Sequence, residues 1–232
     1  MKTETGLDAR TGALVQVSAA LACRSVERRR MALEAAAAHA NRSEVEEALL
    51  QAHLFVGFPA VLDAFMEWRR MTGSEAGMEQ VPADRAGDGE ALCRAVYGDV
   101  YERLREHVRR LHPDLDVWMV EHGYGRTLSR PRLSVETREL CIVGLLAAAG
   151  HERQLRAHLH GALNVGAPAW RVKAALNVGV RAASRGGAGP AASVGADAAR
   201  MLAIWEEVAD RAEQDSGRNP GRKVEGESCS SM

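Results

Sequence analysis

Apolar positions recur along this chain at the spacing of α-helices, and the alternating pattern typical of strands is nearly absent. Ala, Leu, Arg and Glu dominate the sequence, and all four favour helices. We therefore predict an all-α chain. The expected helices cover residues 8–23, 26–40, 43–57, 60–71, 90–111, 114–122 and 196–213, with further helices in the repeat described below.

Residues that favour helix caps, breaks and turns indicate where the predicted helices begin and end. Ser43, with Glu46 three residues later, predicts a capping box at the start of the third helix. A break is expected at residues 57–59, where Gly-Phe-Pro occurs, and a turn at residues 123–125, where Gly-Tyr-Gly occurs. The Gly/Asp/Pro-rich stretch before residue 90 indicates a linker, and the Gly/Ser/charge-rich C-terminus indicates a disordered tail.

The second half of the chain repeats the first. The segment LDARTGAL at residues 7–14 aligns with LSVETREL at 133–140 at an offset of about 126 residues. With one residue of slippage, Val45 aligns with Val172 and Leu49 with Leu176. We therefore predict a duplicated helical domain, divided into a degenerate N-terminal repeat (1–71), a linker (72–92), a C-terminal repeat with the site (93–213) and a tail (214–232).

Composition excludes several classes of function. The formal net charge is only -1 and aromatic residues make up 4% of the chain, which argues against a nucleic-acid-binding surface. The N-terminus lacks the apolar core of a signal peptide, and no uncharged apolar run reaches the roughly 18 residues of a membrane span. The four cysteines are far apart and form no CxxC, as expected for a reducing compartment. We expect a cytoplasmic protein that binds neither nucleic acid nor membranes.

The strongest candidate chemistry is an acid/base pair. Glu139 lies near the start of an Ala/Leu-rich helical run, and His158 lies within the next helical run. A carboxylate and an imidazole on adjacent helices suit proton transfer, with Glu139 holding His158 in one tautomer so that the ring donates a proton near neutral pH. The alternative is a structural ion pair buried between the helices, because buried charges must be paired.

Other polar and aromatic residues are weaker candidates for substrate binding. His151 and Gln154 fall at helical spacing from His158 and would share its face, although His151 also fits an exposed helix start. Arg130 and Arg138 suit bidentate carboxylate binding, and a salt bridge to a neighbouring helix is the alternative for each. The remaining candidates are Tyr124, as a lid or a turn residue, and Trp118, which also fits core or interface packing.

We expect no metal and no cofactor. His158 and His160 are two residues apart, so on a helix their side chains point away from each other and would not share one ion. Cys141 falls within an apolar helical run and is expected to be an inert buried thiol. A redox protein that uses Cys23 or Cys141 remains an alternative from a different class.

Three stretches together resemble the carboxymuconolactone decarboxylase family, which also contains the alkyl hydroperoxidase D proteins. They are YGRTLSRPRLSVETREL, QLRAHLHGALNVGA and, in the first half, EEALLQAHLFVGFPAVL. The resemblance covers about residues 7–62 and 93–179. It implies an all-helical fold with an antiparallel helix pair at its core, and a homo-oligomer built as a trimer or from dimers.

The resemblance also restricts the chemistry. The peroxidase branch of the family uses a Glu, a CxxC and a His, and here His151 and Gln154 stand where the two cysteines would be. Thiol peroxidase activity needs a nucleophilic and a resolving thiol, so we exclude it for the second half. In the first half Ala13 replaces the Glu, and Met31 or Ala32 replaces the His. We therefore expect one composite site, with the first half either a silent copy kept for packing or a source of wall residues such as Gln51, His53 and Phe55.

The expected function is that of a cofactor-free, decarboxylase-like lyase acting on a small oxygenated carboxylic acid or lactone. Arg130 or Arg138 would anchor the acid, and His158 would protonate the carbon left by the departing carboxylate. A biosynthetic enzyme that isomerises or opens a ring with the same pair is an alternative. So is a non-enzymatic binding or scaffold protein, in which Glu139 and His158 face a closed, dry core.

Overall fold

The computed structural model describes residues 6–23, 25–73, 86–184 and 191–218. These residues form helices and contain no strand, which confirms the all-α prediction. A 3-10 turn (Gly98–Val100) and a π-helix (Met119–Leu128) interrupt the series. The α-helices are α1 (Ala9–Ala22), α2 (Val26–His39), α3 (Arg42–Thr72), α4 (Ala86–Tyr97), α5 (Tyr101–Leu111), α6 (Pro113–Trp118), α7 (Val135–Ala149), α8 (Glu152–Asn164), α9 (Ala169–Ser184) and α10 (Ala191–Arg218).

Helices α1 and α7 lie at the centre of the fold. Both are apolar on nearly every side, and α7 buries each position from Thr137 to Ala147. Each begins at a side-chain cap, because Asp8 accepts from the Thr11 amide at 2.9 Å and Ser134 accepts from the Thr137 amide at 3.2 Å. A helix without a polar face must be covered all round, which explains why other helices surround this pair.

The contacts among six helices follow a symmetric pattern. Helix α1 packs against α2, α3, α7 and α9, and α7 packs against α8, α9, α1 and α3. Exchanging α1–α3 for α7–α9 leaves this pattern unchanged. Leu49 and its aligned partner Leu176 are both fully buried. A duplication of a three-helix unit would produce this pattern, and the duplication itself stays a prediction.

The predicted break at residues 57–59 is a kink within the long helix α3. Gly57 has φ 76° and ψ 169°, and Pro59 follows it. The positive φ suits glycine, and Pro59 has no amide hydrogen to donate. The predicted cap at Ser43 is wrong, because the capping box is made by Asn41 and Glu44, each of which accepts from the other's backbone amide.

Two other sequence predictions also need correction. The single helix expected over residues 90–111 is divided by the 3-10 turn, and the turn expected at residues 123–125 belongs to the π-helix. In that element the Ser129 amide donates to the Tyr124 carbonyl five residues earlier, at 2.8 Å. A Cβ on Gly89 of α4 would lie 2.5 Å from the Val120 carbonyl oxygen, so the two backbones touch.

The predicted linker and tail lie largely outside the described residues. Helix α4 begins at Ala86 and α10 continues to Arg218, so both helices extend into regions expected to be irregular. Helix α3 is long and apolar enough to cross a membrane by length and composition alone. That is weak evidence, since core helices of globular proteins pass the same test. Its second half exposes Phe58, Leu62 and Met66 at helical spacing.

Candidate functional site

The fold brings Glu139 of α7 against His158 of α8. The Nδ1 atom of His158 lies 2.8 Å from Oε2 of Glu139, and the two residues are only 5% and 1% exposed. Gly161, one turn after His158, permits this approach, because a Cβ there would lie 3.1 Å from Glu139 Oε2 and 2.7 Å from Val96 Cγ1. The pair is therefore held in a tightly packed part of the interior.

This geometry assigns separate roles to the two ring nitrogens of His158. When Nδ1–H donates to the Glu139 carboxylate, the tautomer is fixed and Nε2 is left to exchange a proton with another molecule. The same hydrogen bond fixes the orientation of the ring, so Nε2 points in a defined direction.

Two aromatic side chains contact the imidazole, and a third packs against one of them. Phe55 of α3 meets the His158 ring edge-on at 5.6 Å between centroids, and Tyr97 of α4 lies at 6.3 Å. Tyr124 of the π-helix packs against Tyr97 at 6.0 Å and shares a side-chain hydrogen bond with it. Burial raises the pKa of both tyrosines, so their hydroxyls stay protonated and can donate.

These positions extend and correct the sequence expectations. Phe55 was expected to lend a wall from the first half, and the structure places its ring on His158. Tyr124 is buried in the π-helix, where it is neither an exposed lid nor a turn residue. Sequence reasoning did not find Tyr97. The sequence signal that could have indicated Tyr97 is that tyrosine is rare in this chain, which has three tyrosines.

Arg130 and Arg138 form a buried ion cluster with Glu47 of α3. Arg130 Nη2 lies 2.8 Å from Glu47 Oε1, and Arg138 Nη2 lies 2.8 Å from Glu47 Oε2. Arg138 Nη1 also donates to Gln51 Oε1 at 3.0 Å. Burial lowers the pKa of Arg138, and its buried Nε has no hydrogen-bond partner among the described residues. The salt-bridge alternative is thus realised for both arginines.

The other predicted binding residues lie at the surface. His151 precedes the first residue of α8 and has a non-helical backbone (φ −86°, ψ 76°), so it does not share a helix face with His158. His151 and Gln154 are both exposed, and Trp118 is 60% exposed. Of the expected polar strip on α8, only His158 reaches the interior.

Two surface cavities lie away from the pair. One, of about 360 Å³, is lined by Arg94, Gly98, Asp99, Tyr101 and Glu102, and another, of about 340 Å³, lies between α2 and α3. Because His158 is 5% exposed, a substrate reaches Nε2 only if a neighbouring side chain such as Phe55 or Tyr97 moves.

The cysteines in the described residues are free thiols that burial makes poor nucleophiles. Burial raises the pKa of Cys93 to about 12 and that of Cys141 to about 11. Because only the thiolate reacts, raising the Cys141 pKa from 9.0 to about 11 lowers its thiolate fraction near pH 8 roughly 100-fold.

We therefore expect Cys141 to be alkylated at least about 100-fold more slowly in the native protein than after unfolding. Mass spectrometry of tryptic peptides after timed alkylation measures this rate. The half-buried Cys23 is the internal comparison and should label sooner. Fast native labelling of Cys141 would revive the redox alternative.

Comparison with known proteins places this site in a recognised domain. Residues 113–201 match the model of the carboxymuconolactone decarboxylase family, and this segment contains both Glu139 and His158. The chain is also 28% identical over 141 residues to "Peroxisomal protein 2" of Schizosaccharomyces pombe. That alignment covers 58% of this chain and 66% of the yeast protein, just under two thirds of its length. The resemblance identified from the sequence is confirmed for the matched segment.

Proposed function

We propose that this chain is a cofactor-free, decarboxylase-like lyase, since residues 113–201 match the model of the carboxymuconolactone decarboxylase family. Its substrate would be a small oxygenated carboxylic acid or lactone. The observation that carries the proposal is the 2.8 Å hydrogen bond between His158 and Glu139 inside an aromatic enclosure. Such a pair delivers a proton at a defined atom while excluding bulk water.

The chemistry follows from the positions of the groups. In decarboxylation of a carboxylated unsaturated lactone, the bond to the carboxylate carbon breaks, CO₂ leaves, and the electron pair moves to the lactone carbonyl as a dienolate. His158 Nε2–H then protonates the ring carbon, and the neutral imidazole regains its proton from water. Tyr97 and Tyr124 keep their hydroxyl protons, and because Tyr124 donates to Tyr97, the Tyr97 hydroxyl is the one that can donate to the dienolate oxygen.

Substrate anchoring by Arg130 or Arg138 stays a prediction. Both guanidinium groups already bind Glu47, so a substrate carboxylate would have to share these donors with Glu47 or replace it. The binding roles predicted for Trp118, His151 and Gln154 would require the surface near them to face the substrate in an assembled protein.

The direct test is an ultraviolet assay of the purified protein with 4-carboxymuconolactone and a few related acids. We expect His158→Ala to lower the rate of turnover by about 10²–10⁴-fold, the usual contribution of a positioned acid. Glu139→Gln should lower kcat and change its pH dependence, because an amide does not stabilise the imidazolium. His107→Ala, at an exposed position on α5, is the matched control.

Two results would contradict the proposed role. The first is turnover that His158→Ala leaves unchanged, and the second is a pH–rate profile insensitive to Glu139→Gln. If substrate disappears but no CO₂ is released, product analysis would instead favour the alternative in which the same pair isomerises or opens a ring.

A non-enzymatic binding or scaffold protein is the second candidate. It is favoured by the low exposure of Glu139 and His158, 1% and 5%, which suits a structural ion pair in a closed core. This candidate predicts no turnover on the whole panel. It also predicts that His158→Ala lowers the free energy of unfolding, because it leaves the Glu139 carboxylate buried without its partner.

The proposal also covers the oligomeric state of the protein and its cellular compartment. We propose a homo-oligomer, either a trimer or built from dimers, and a reducing cytoplasmic location. The exposed apolar stripe of Phe58, Leu62 and Met66 supports the first, and the free thiols of Cys23, Cys93 and Cys141 support the second. We further propose that α1–α3 are a degenerate copy of α7–α9 that supplies Phe55 to a single composite site.

A further inference from the structure

Two histidines meet where α3 passes the π-helix, outside the site described above. His53 Nε2 of α3 lies 2.8 Å from His122 Nε2 of the π-helix. The rings approach edge-on, with centroids 5.0 Å apart and an angle of 68° between their planes. These residues are 69 positions apart in the sequence, so their proximity depends on the fold.

The second nitrogen of His53 shows which tautomer this ring adopts. His53 Nδ1 lies 2.5 Å from the Leu50 carbonyl oxygen, which can only accept, so Nδ1 carries the proton and donates it. The Nε2 atom of His53 therefore accepts a hydrogen bond from His122 Nε2–H, and an ion that binds both rings would take the place of this proton. A backbone carbonyl that fixes the ring and its tautomer in this way is the usual support of a metal-binding histidine.

The separation of the two Nε2 atoms fits a shared ion. Imidazole nitrogens bind transition metals at about 2.0–2.1 Å, and two such ligands at angles between 90° and 109° are about 2.8–3.4 Å apart. The observed 2.8 Å falls at the lower end of this range. Because His122 is exposed, its ring can tilt to bring both lone pairs toward one point.

Only a neutral His122 ring with its Nε2 lone pair available can bind a metal ion. When an ion binds, the single proton of the neutral His122 ring moves to Nδ1 and Nε2 becomes a ligand. Arg126 also repels a cation, so the affinity is expected to be moderate.

We infer that His53 and His122 form a binding site for a divalent transition-metal ion of the Ni²⁺, Cu²⁺ or Zn²⁺ class. Imidazole nitrogen is a preferred ligand for each of these ions. Within the described residues no cluster of three or more His, Cys, Asp or Glu side chains is arranged to hold a metal, so water or a small ligand would complete the coordination. This inference departs from the sequence expectation of a protein without a metal, and it does not depend on the proposed enzymatic activity.

The site would also connect two walls of the aromatic enclosure. Phe55 follows His53 by two residues on α3, and Tyr124 follows His122 by two residues in the π-helix. Few contacts join these two elements, so an ion held by both histidines would restrain their separation.

Titration calorimetry of the tag-free, full-length protein with NiCl₂ at pH 7.5 tests the inference. We expect one equivalent of Ni²⁺ per chain, and an affinity that falls at least about tenfold in both His53→Gln and His122→Gln. His107→Gln and His151→Gln, at exposed positions elsewhere, should bind as the unaltered protein does. Binding should weaken below about pH 6, because protonated imidazoles cannot ligate.

A second measurement covers the case in which a variant fails to fold. In the unaltered protein, substoichiometric Ni²⁺ should broaden the imidazole proton resonances of His53 and His122 before those of His107 and His151. The inference is overturned if Ni²⁺ binds with no stoichiometric step, if both variants bind as the unaltered protein does, or if the control histidines broaden first.

Discussion

Replacing Glu47 with alanine is expected to lower the free energy of unfolding by about 3–5 kcal/mol, the usual cost of leaving a buried charge without its partner. Glu47 accepts from both Arg130 and Arg138, and the Arg138 side chain is only 2% exposed. After the substitution, Arg138 keeps only neutral acceptors, among them Gln51 and the Arg130 carbonyl. Urea denaturation followed by circular dichroism measures the change.

Two further variants separate this effect from a general loss of charge. Glu90→Ala removes the carboxylate of an exposed pair with Arg94 and should change the free energy of unfolding by less than about 1 kcal/mol. The double variant Glu47→Leu with Arg138→Met should recover part of the loss, because it removes the two most buried charges and leaves only the less buried Arg130 without its carboxylate. If Glu47→Ala is as mild as Glu90→Ala, the cluster does not stabilise the fold as argued.

Replacing Gly179 with alanine is expected to destabilise the protein by about 3 kcal/mol or more, at the upper end of the usual cost of overpacking a core. A Cβ at this position would lie 2.2 Å from the Gly144 carbonyl oxygen and 2.8 Å from the Ala147 Cβ. The obstruction is backbone, so α9 and α7 must move apart. Thermal and urea unfolding both measure this loss.

The sign of this effect is informative, because glycine to alanine within a helix ordinarily stabilises by about 0.5–1 kcal/mol. Gly123→Ala is the matched control, since its Cβ would meet nothing closer than the Trp118 carbonyl oxygen at 3.8 Å. We expect that variant to be neutral within about 1 kcal/mol. A stable Gly179→Ala protein would show that the contact between α7 and α9 is looser than its geometry indicates.

The ion cluster and the candidate site share two helices. Arg138 and Glu139 are consecutive on α7, and Gln51 and Phe55 are one turn apart on α3. The cluster therefore fixes α3 against α7 next to the pair that Phe55 covers. The two arginines that the sequence suggests as substrate anchors therefore also hold α3 against α7 beside the pair.

The matched domain does not contain the whole site. Glu139, His158 and Tyr124 lie within residues 113–201, whereas Phe55 and Tyr97 come from α3 and α4, outside the matched range. The matched segment contains the Glu139–His158 pair, and helices outside it carry the side chains that contact His158. We expect those outer helices to determine which substrates fit.

The sequence by itself determined the local features of this protein. Apolar periodicity identified the helices, and the Gly-Phe-Pro segment located the kink of α3. The alignment of residues 7–14 with 133–140 paired segments that lie at the starts of the two central helices. These features depend on neighbours within a few residues, and the spacing of a helix is encoded at that range. Glu139 also stood out, because few polar side chains interrupt the apolar run of α7.

Only the tertiary structure decided the partners of the polar side chains. Glu47 binds arginines 83 and 91 residues away, and His53 meets His122 across 69 residues. It also decided the division of the helix at residues 98–100 and the π-helix at Tyr124. The physical reason is that a helix pattern states which face is buried but not which helix covers it. Charge pairing, burial and aromatic contact at this site arise only where α3, α4, α7, α8 and the π-helix meet.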